Sequence, residues 1–169
     1  MKLFGITGWS GSGKTTLIER LVPVLRQRGF VVGVLKHAHH NFDIDTEGKD
    51  SWRFRQAGCF EVAISSSRRW ALMHEHDDGD TEPDVFAMCA RFDSKCNLIL
   101  VEGYKDAPLP KLEVWRRQGG GVPIAANNAH VVAVATDDDE LPQFACPLLP
   151  LNDIDVVADF IIGQIATND

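Results

Sequence analysis

Gly8-Trp9-Ser10-Gly11-Ser12-Gly13-Lys14-Thr15 is the stretch that decides the fold. It satisfies G-x-x-x-x-G-K-[ST], and it lies between a short apolar run, Lys2 to Thr7, and a stretch from Thr15 to Arg28 with Leu17, Leu21, Val24 and Leu25 at helical spacing. Strand, glycine-rich loop, helix is the context that separates a phosphate-binding loop from a chance match. Glycines let backbone N–H groups turn toward phosphate oxygens, and the helix start adds partial positive charge. Lys14 then reaches the β- and γ-phosphates, and the Thr15 hydroxyl is a magnesium ligand. The expected ligand is a nucleoside triphosphate with Mg2+.

Outward from this loop the chain alternates. Gly29 is a C-cap for the first helix after Arg26 and Arg28, and Pro23 inside it predicts a bend. Phe30 to Leu35 reads as a second strand feeding a polar loop from Lys36 to Lys49, and Asp50 caps a short helix through Gln56, closed by Gly58. Glu61 to Ser65 and Trp70 to His74 read as two strands joined through Ser66, Ser67 and Arg68, a hairpin inserted over 59–76. Thr81, with Pro83 just inside, opens a helix carrying Val85, Met88, Cys89 and Phe92 on one face. Further strands are Asn97 to Val101, Lys111 to Trp115 and Val131 to Ala135, and Asn152 or Asp153 caps a last helix with Ile154, Val157, Ala158, Ile161 and Ile165 buried. Such alternation predicts the α/β class: a P-loop NTPase fold with a mostly parallel sheet, helices on both faces and an inserted β-hairpin arm, as one domain over 1–169.

Composition narrows the function classes. With 17 Lys+Arg against 24 Asp+Glu and a net charge of -7, the chain lacks the basic footprint of a nucleic-acid or anionic-membrane binder. Cys59, Cys89, Cys96 and Cys146 form no C-x-x-C pair, so neither a zinc ribbon nor a dithiol redox motif is expected, and most read as reduced core residues. Neither a signal peptide nor an apolar run of about 20 residues is present, which makes the cytoplasm the expected location.

Beyond the loop, Glu102 stands where the apolar run Leu98-Ile99-Leu100-Val101 stops, the place for a magnesium carboxylate, and Gly103 lets the backbone pass close to a γ-phosphate. Asp50 is a second carboxylate able to reach the metal, or a plain helix cap. The loop holding His37, His39, His40, Asp43 and Asp45 could bind a transition metal, contact substrate or sense nucleotide, although its spacing matches no defined zinc pattern. Lys105, Lys111, Arg116 and Arg117 place positive charge where an anionic ligand could sit. The guanine-selecting N-K-x-D motif is absent, and Asn127-Asn128 and Thr136-Asp137 lie around a late strand where such folds hold the base.

Three further segments carry a family resemblance. They are Leu35-Lys36-His37-Ala38-His39-His40 with Phe42-Asp43-Ile44-Asp45, Gly48-Lys49-Asp50-Ser51 with Ala57-Gly58, and Leu98 to Lys105 with Pro110-Lys111-Leu112-Glu113-Val114. With the P-loop, and with Arg69-Trp70-Ala71-Leu72-Met73, the chain resembles the molybdopterin-guanine dinucleotide biosynthesis protein B family over nearly its whole length. That resemblance implies a GTP-binding adapter with weak GTPase activity. Its partner would be the guanylyltransferase that joins GMP to the molybdenum cofactor, with molybdopterin as a candidate ligand. It also implies a homodimer, the hairpin serving as an arm toward the other subunit. Carried over by position, the phosphate loop is Gly11, Ser12, Gly13, Lys14, Thr15 and Thr16, and the strand-end acid is Glu102; the metal set is then Thr15, Glu102 and Asp50. Asp50 rests on a looser likeness to dethiobiotin-synthetase-like enzymes, in which a V-E-G strand end and a helix-opening Asp share magnesium. The alternative from another class is an ATP-dependent small-molecule kinase or carboxylate-activating enzyme resembling dethiobiotin synthetase.

Overall fold

The computed structural model describes residues 1–38, 42–77, 81–119, 121–139 and 144–167. In chain order the elements are β1 (Lys2–Thr7), α1 (Lys14–Gln27), β2 (Val32–Lys36), α2 (Asp50–Gln56), β3 (Glu61–Ser65), β4 (Trp70–His74), α3 (Val85–Cys89), β5 (Leu98–Glu102), β6 (Lys111–Val114), β7 (Val131–Thr136), β8 (Leu148–Pro150) and α4 (Ile154–Ala166). They fall into two compact units, Met1–His37 with Asp84–Asp169, and Ala38–Pro83.

The first unit is built on a six-stranded sheet ordered β2-β5-β1-β6-β7-β8, in which each neighbouring pair runs parallel. Strand β5 explains why. All five of its residues are buried, as a strand covered on both faces requires. Because successive side chains alternate, Leu98 and Leu100 join Leu17, Leu21 and Leu25 of α1 and Val157 and Ile161 of α4 in one core. Ile99 and Val101 face the other way and meet Leu35, Leu109, and Val85 and Cys89 of α3. Each fully buried leucine here contributes about 2 kcal/mol of hydrophobic transfer.

Helix α1 buries Leu17, Ile18, Leu21 and Leu25 and runs without interruption through Pro23. It ends in a Schellman turn: Gly29 has φ +90°, Phe30 N–H donates to Leu25 O and Gly29 N–H to Arg26 O, both at 3.1 Å. Of the two caps expected for α4, Asp153 is the one used, accepting from Val156 N–H.

Some boundaries differ from the sequence reading. Helix α3 starts at Val85, not at Thr81, because Asp84 accepts from both Phe86 and Ala87 N–H and so supplies the stronger cap. Asp50 does not cap α2: Lys49 holds the cap position and Asp50 is the first helical residue. Strand β8, only three residues long, has no counterpart in the sequence reading. Of the cysteines, Cys89 alone is buried and Cys59 is exposed.

The second unit holds α2 and the antiparallel pair β3-β4. Its register sets Val62 opposite Met73, each 7% exposed, and Ser65 opposite Trp70. Trp70 and Leu72 fall on the other face of β4 and are exposed. Among the described residues of the whole chain, no helix is long and apolar enough to cross a membrane.

Candidate nucleotide-binding site

The loop Gly8 to Gly13 joins β1 to α1 at the C-terminal edge of the sheet, where α/β folds bind ligands. Two glycines are dictated by their surroundings. Gly8 (φ +141°) has no room for a side chain, since a Cβ there would lie 2.4 Å from Val114 O at the end of β6. Gly13 (φ +101°) leads into the helix, and a Cβ on it would meet Arg116 Nη1 at 2.8 Å.

Within the loop Ser12 N–H donates to Trp9 O, and the first bond along the helix is Leu17 N–H to Gly13 O at 2.9 Å. The N–H groups of Lys14, Thr15 and Thr16 therefore stand at an open helix start with no partner among the described residues. Beside them the Ser12 hydroxyl is buried and unpaired. Buried polar groups are ordinarily satisfied, so this cluster of idle donors fits a phosphate.

Lys14 folds back onto the loop, its Nζ donating to Gly8 O at 3.0 Å and Trp9 O at 2.8 Å. Burial lowers its pKa; the Glu102 charge opposes that shift, and Lys105 and Lys36 add to it. Three ammonium groups thus repel one another around a single carboxylate, a field that an anionic phosphate relieves.

Glu102 ends β5, which pairs directly with β1, so the strand-end acid lies beside the loop. Its Oε1 accepts from the Thr15 hydroxyl at 3.0 Å and lies 3.6 Å from Lys36 Nζ, with the residue 7% exposed. Octahedral Mg2+ with oxygens at 2.0–2.1 Å sets adjacent ligands about 2.9 Å apart. Thr15 and Glu102 therefore fit two neighbouring positions of one magnesium shell. Asp50 lies in the second unit, in the first turn of α2.

The segment after Glu102 is tied down from below. Gly103 has φ +90°, and a Cβ on it would lie 2.9 Å from His37 Cβ, so His37 occupies that space. The His37 ring stacks on Tyr104 at 4.6 Å. Lys111, read from sequence as a cation for a ligand, is instead 1% exposed. Its Nζ donates to Tyr104 O, Lys105 O and Ala107 O at 3.2, 2.8 and 2.7 Å, and burial lowers its pKa. That staple holds Lys105 where its ammonium lies 4.0 Å from the Trp9 ring centroid. Trp9 is fixed in turn by Nε1–H donating to Val122 O at 2.8 Å.

The sequence reading attached no role to Glu113. It is fully buried, and its carboxylate accepts from Ile124 and Ala125 N–H at 2.9 and 2.8 Å; burial raises its pKa against those two bonds. The late asparagine and aspartate pairs separate. Asn128 precedes β7, capping His130 N–H and donating to Lys105 O. Asp137 follows β7, and both its oxygens accept from Arg116, whose Nη1 also donates to Ser12 O at 3.0 Å. Arg117 N–H donates to Asp138.

In the second unit Asp43 and Asp45 are both held by Arg55, at 2.5 and 2.8 Å, and Glu75 takes its other terminal nitrogen. These carboxylates form an ion-pair network that fixes the polar loop to α2. Among the described residues no group of three metal-ligating side chains converges. His39 and His40 lie outside the described residues.

Comparison with known proteins follows the same outline. The chain is 44% identical over 161 residues to the molybdopterin-guanine dinucleotide biosynthesis adapter protein of Haemophilus influenzae, covering 94% of this chain and 86% of that one. The Escherichia coli protein of the same name is 41% identical over 163 residues, covering 95% and 91%. The crystal structure of Bacillus subtilis MobB superposes with a TM-score of 0.75 at 24% identity over 98% of each chain, a likeness of fold. The sequence model of the family molybdopterin guanine dinucleotide synthesis protein B, MobB, matches residues 3–137. The chain belongs to the MobB family.

Proposed function

We propose that the chain binds GTP with Mg2+ and acts as an adapter in molybdopterin guanine dinucleotide biosynthesis. The observation that carries the nucleotide reading is the Thr15–Glu102 contact beside the idle N–H groups of Lys14, Thr15 and Thr16. The adapter reading rests on the names of relatives at 41% and 44% identity.

In this reading the triphosphate takes the donors that are unpaired in the loop, and Lys14 leaves the Gly8 and Trp9 carbonyls for the β- and γ-phosphates. Thr15 and Glu102 would hold Mg2+, which neutralises phosphate charge. Glu102, already engaged by Thr15 and Lys36, would hold the metal in this reading and would not serve as a proton acceptor. No general base is evident in the sequence, which fits slow hydrolysis, and the nucleotide acts by its differential affinity for two loop conformations that a partner distinguishes. The partner is the guanylyltransferase, and the β3-β4 hairpin is the arm of a homodimer, its apolar Trp70 and Leu72 being exposed on one face.

Calorimetry with GTP and with ATP, each with and without Mg2+, tests the reading. Magnesium-strengthened GTP binding that ATP does not displace is expected. Absence of binding to any nucleoside triphosphate overturns it, and preference for ATP moves the chain to the kinase-like alternative.

A further inference from the structure

We propose that Arg116 selects the base, its two idle terminal N–H groups reading the O6/N7 edge of a 6-oxopurine and rejecting a 6-aminopurine. This rests on the nucleotide reading above and assigns the role of the missing N-K-x-D motif to a residue no motif marks.

The guanidinium carries five donors in one plane. Nε and Nη2 donate to the two oxygens of Asp137 at 2.7 and 2.8 Å, and Nη1 donates to Ser12 O at 3.0 Å. One N–H on each terminal nitrogen is left without a partner among the described residues. The group is held between the phosphate loop and the end of β7 by Ser12 O and Asp137, with Nη1 close against Gly13.

Position along the sheet supplies the second observation. Lys14, Thr15 and Glu102 mark where the terminal phosphate lies, on the β5 side of β1. Arg116 follows β6, Asp137 follows β7 and Asn152 follows β8, all on the opposite side of β1. At about 4.8 Å per strand, β5 lies roughly 10 Å from β6, which Arg116 follows, and roughly 14 Å from β7, which Asp137 follows. A cleft of about 130 Å³ opens there, lined by Thr16, Leu17, Arg20, Arg116, Leu151 and Asn152.

A paired donor on fixed terminal nitrogens matches an acceptor pair. Guanine offers O6 and N7, whereas adenine offers N7 beside an N6–H2 donor that would face another donor, and such a bidentate contact discriminates roughly ten- to hundredfold.

The test is equilibrium competition with GTP, ITP, 7-deaza-GTP and ATP on the full chain and on Arg116→Met and Arg116→Lys. For the unmodified protein, GTP and ITP should bind alike, 7-deaza-GTP about tenfold more weakly and ATP weaker still. In Arg116→Met, GTP affinity should fall to that of ATP while ATP affinity stays the same, and Arg116→Lys should recover part of the difference. Equal loss of GTP and ATP in Arg116→Met would mean that the guanidinium serves phosphate or loop shape, and it overturns the proposal. Equal binding of GTP and 7-deaza-GTP by the unmodified protein overturns it without any substitution. Failure of that protein to bind any triphosphate removes the nucleotide reading itself, a separate result.

Discussion

The Thr15 hydroxyl donates to Glu102 Oε1 across 3.0 Å, joining a helix start and a strand end 87 residues apart in the chain. Glu102→Gln keeps the shape of that contact and removes its charge. Magnesium-dependent GTP affinity should fall at least tenfold, about 1.4 kcal/mol, while affinity in EDTA changes little. Calorimetry under both conditions measures it, and an unchanged magnesium dependence would reduce Glu102 to an ordinary strand end.

Among the described residues Lys14 hydrogen-bonds only the loop carbonyls of Gly8 and Trp9 and takes no part in the core. Lys14→Ala should therefore lose triphosphate affinity by more than tenfold with a melting temperature within a few degrees of the parent. Unfolding of the variant, or retention of affinity, would contradict the assignment.

Removing the Lys111 ammonium takes one donor from each of three carbonyls, which keep a second from Ala107 N–H, Asn128 Nδ2 and Leu109 N–H respectively. Lys111→Met should cost about 2 kcal/mol from the lost charge-assisted bonds, lowering the melting temperature by roughly 4–8 °C for a chain of this size. Scanning calorimetry reads the shift; a melting temperature within 2 °C of the parent would mean the staple carries no stability.

Asp137 is held below the usual carboxylate range by its hydrogen bonds to Arg116, against some desolvation, with Asn152 adding to the lowering. A carboxylate whose folded pKa is depressed contributes stability above its unfolded pKa, near 3.9, and loses it as pH falls through the folded value. Asp137→Asn should thus be slightly less stable at pH 7, by under about 1 kcal/mol for a partly exposed pair. Its stability should also fall less steeply below pH 4. Parallel acid-unfolding curves for parent and variant would exclude this pairing as a source of stability.

Trp70 is 72% exposed on the hairpin. If that face is the arm of a homodimer, Trp70→Asp should shift the chain to monomer at micromolar concentration, as light scattering would register. A full dimer in that variant, or in a chain lacking Glu61 to His74, sets the interface elsewhere.

Where the deciding forces are local, the sequence was enough. Gly8 to Thr15, the strand before it and the helix after it follow from glycine backbone freedom and apolar spacing, and Glu61–Ser65 and Trp70–His74 are the strands expected from alternation and turn residues. The acid at Glu102 was legible because an apolar run stops there. Competition between neighbours was not: Asp84 outcompetes Thr81 as a cap, and β8, the three residues Leu148–Pro150, exists only because β7 offers it a ladder. The basic residues after Glu102 look alike as letters, yet Lys111 is buried under three carbonyls and Arg116 is clamped between Ser12 and Asp137. Sequence spacing does not contain that difference. It arises when the parallel sheet brings distant strand ends to one edge, because the cost of burying a cation is decided by which carbonyls and carboxylates the fold sets around it.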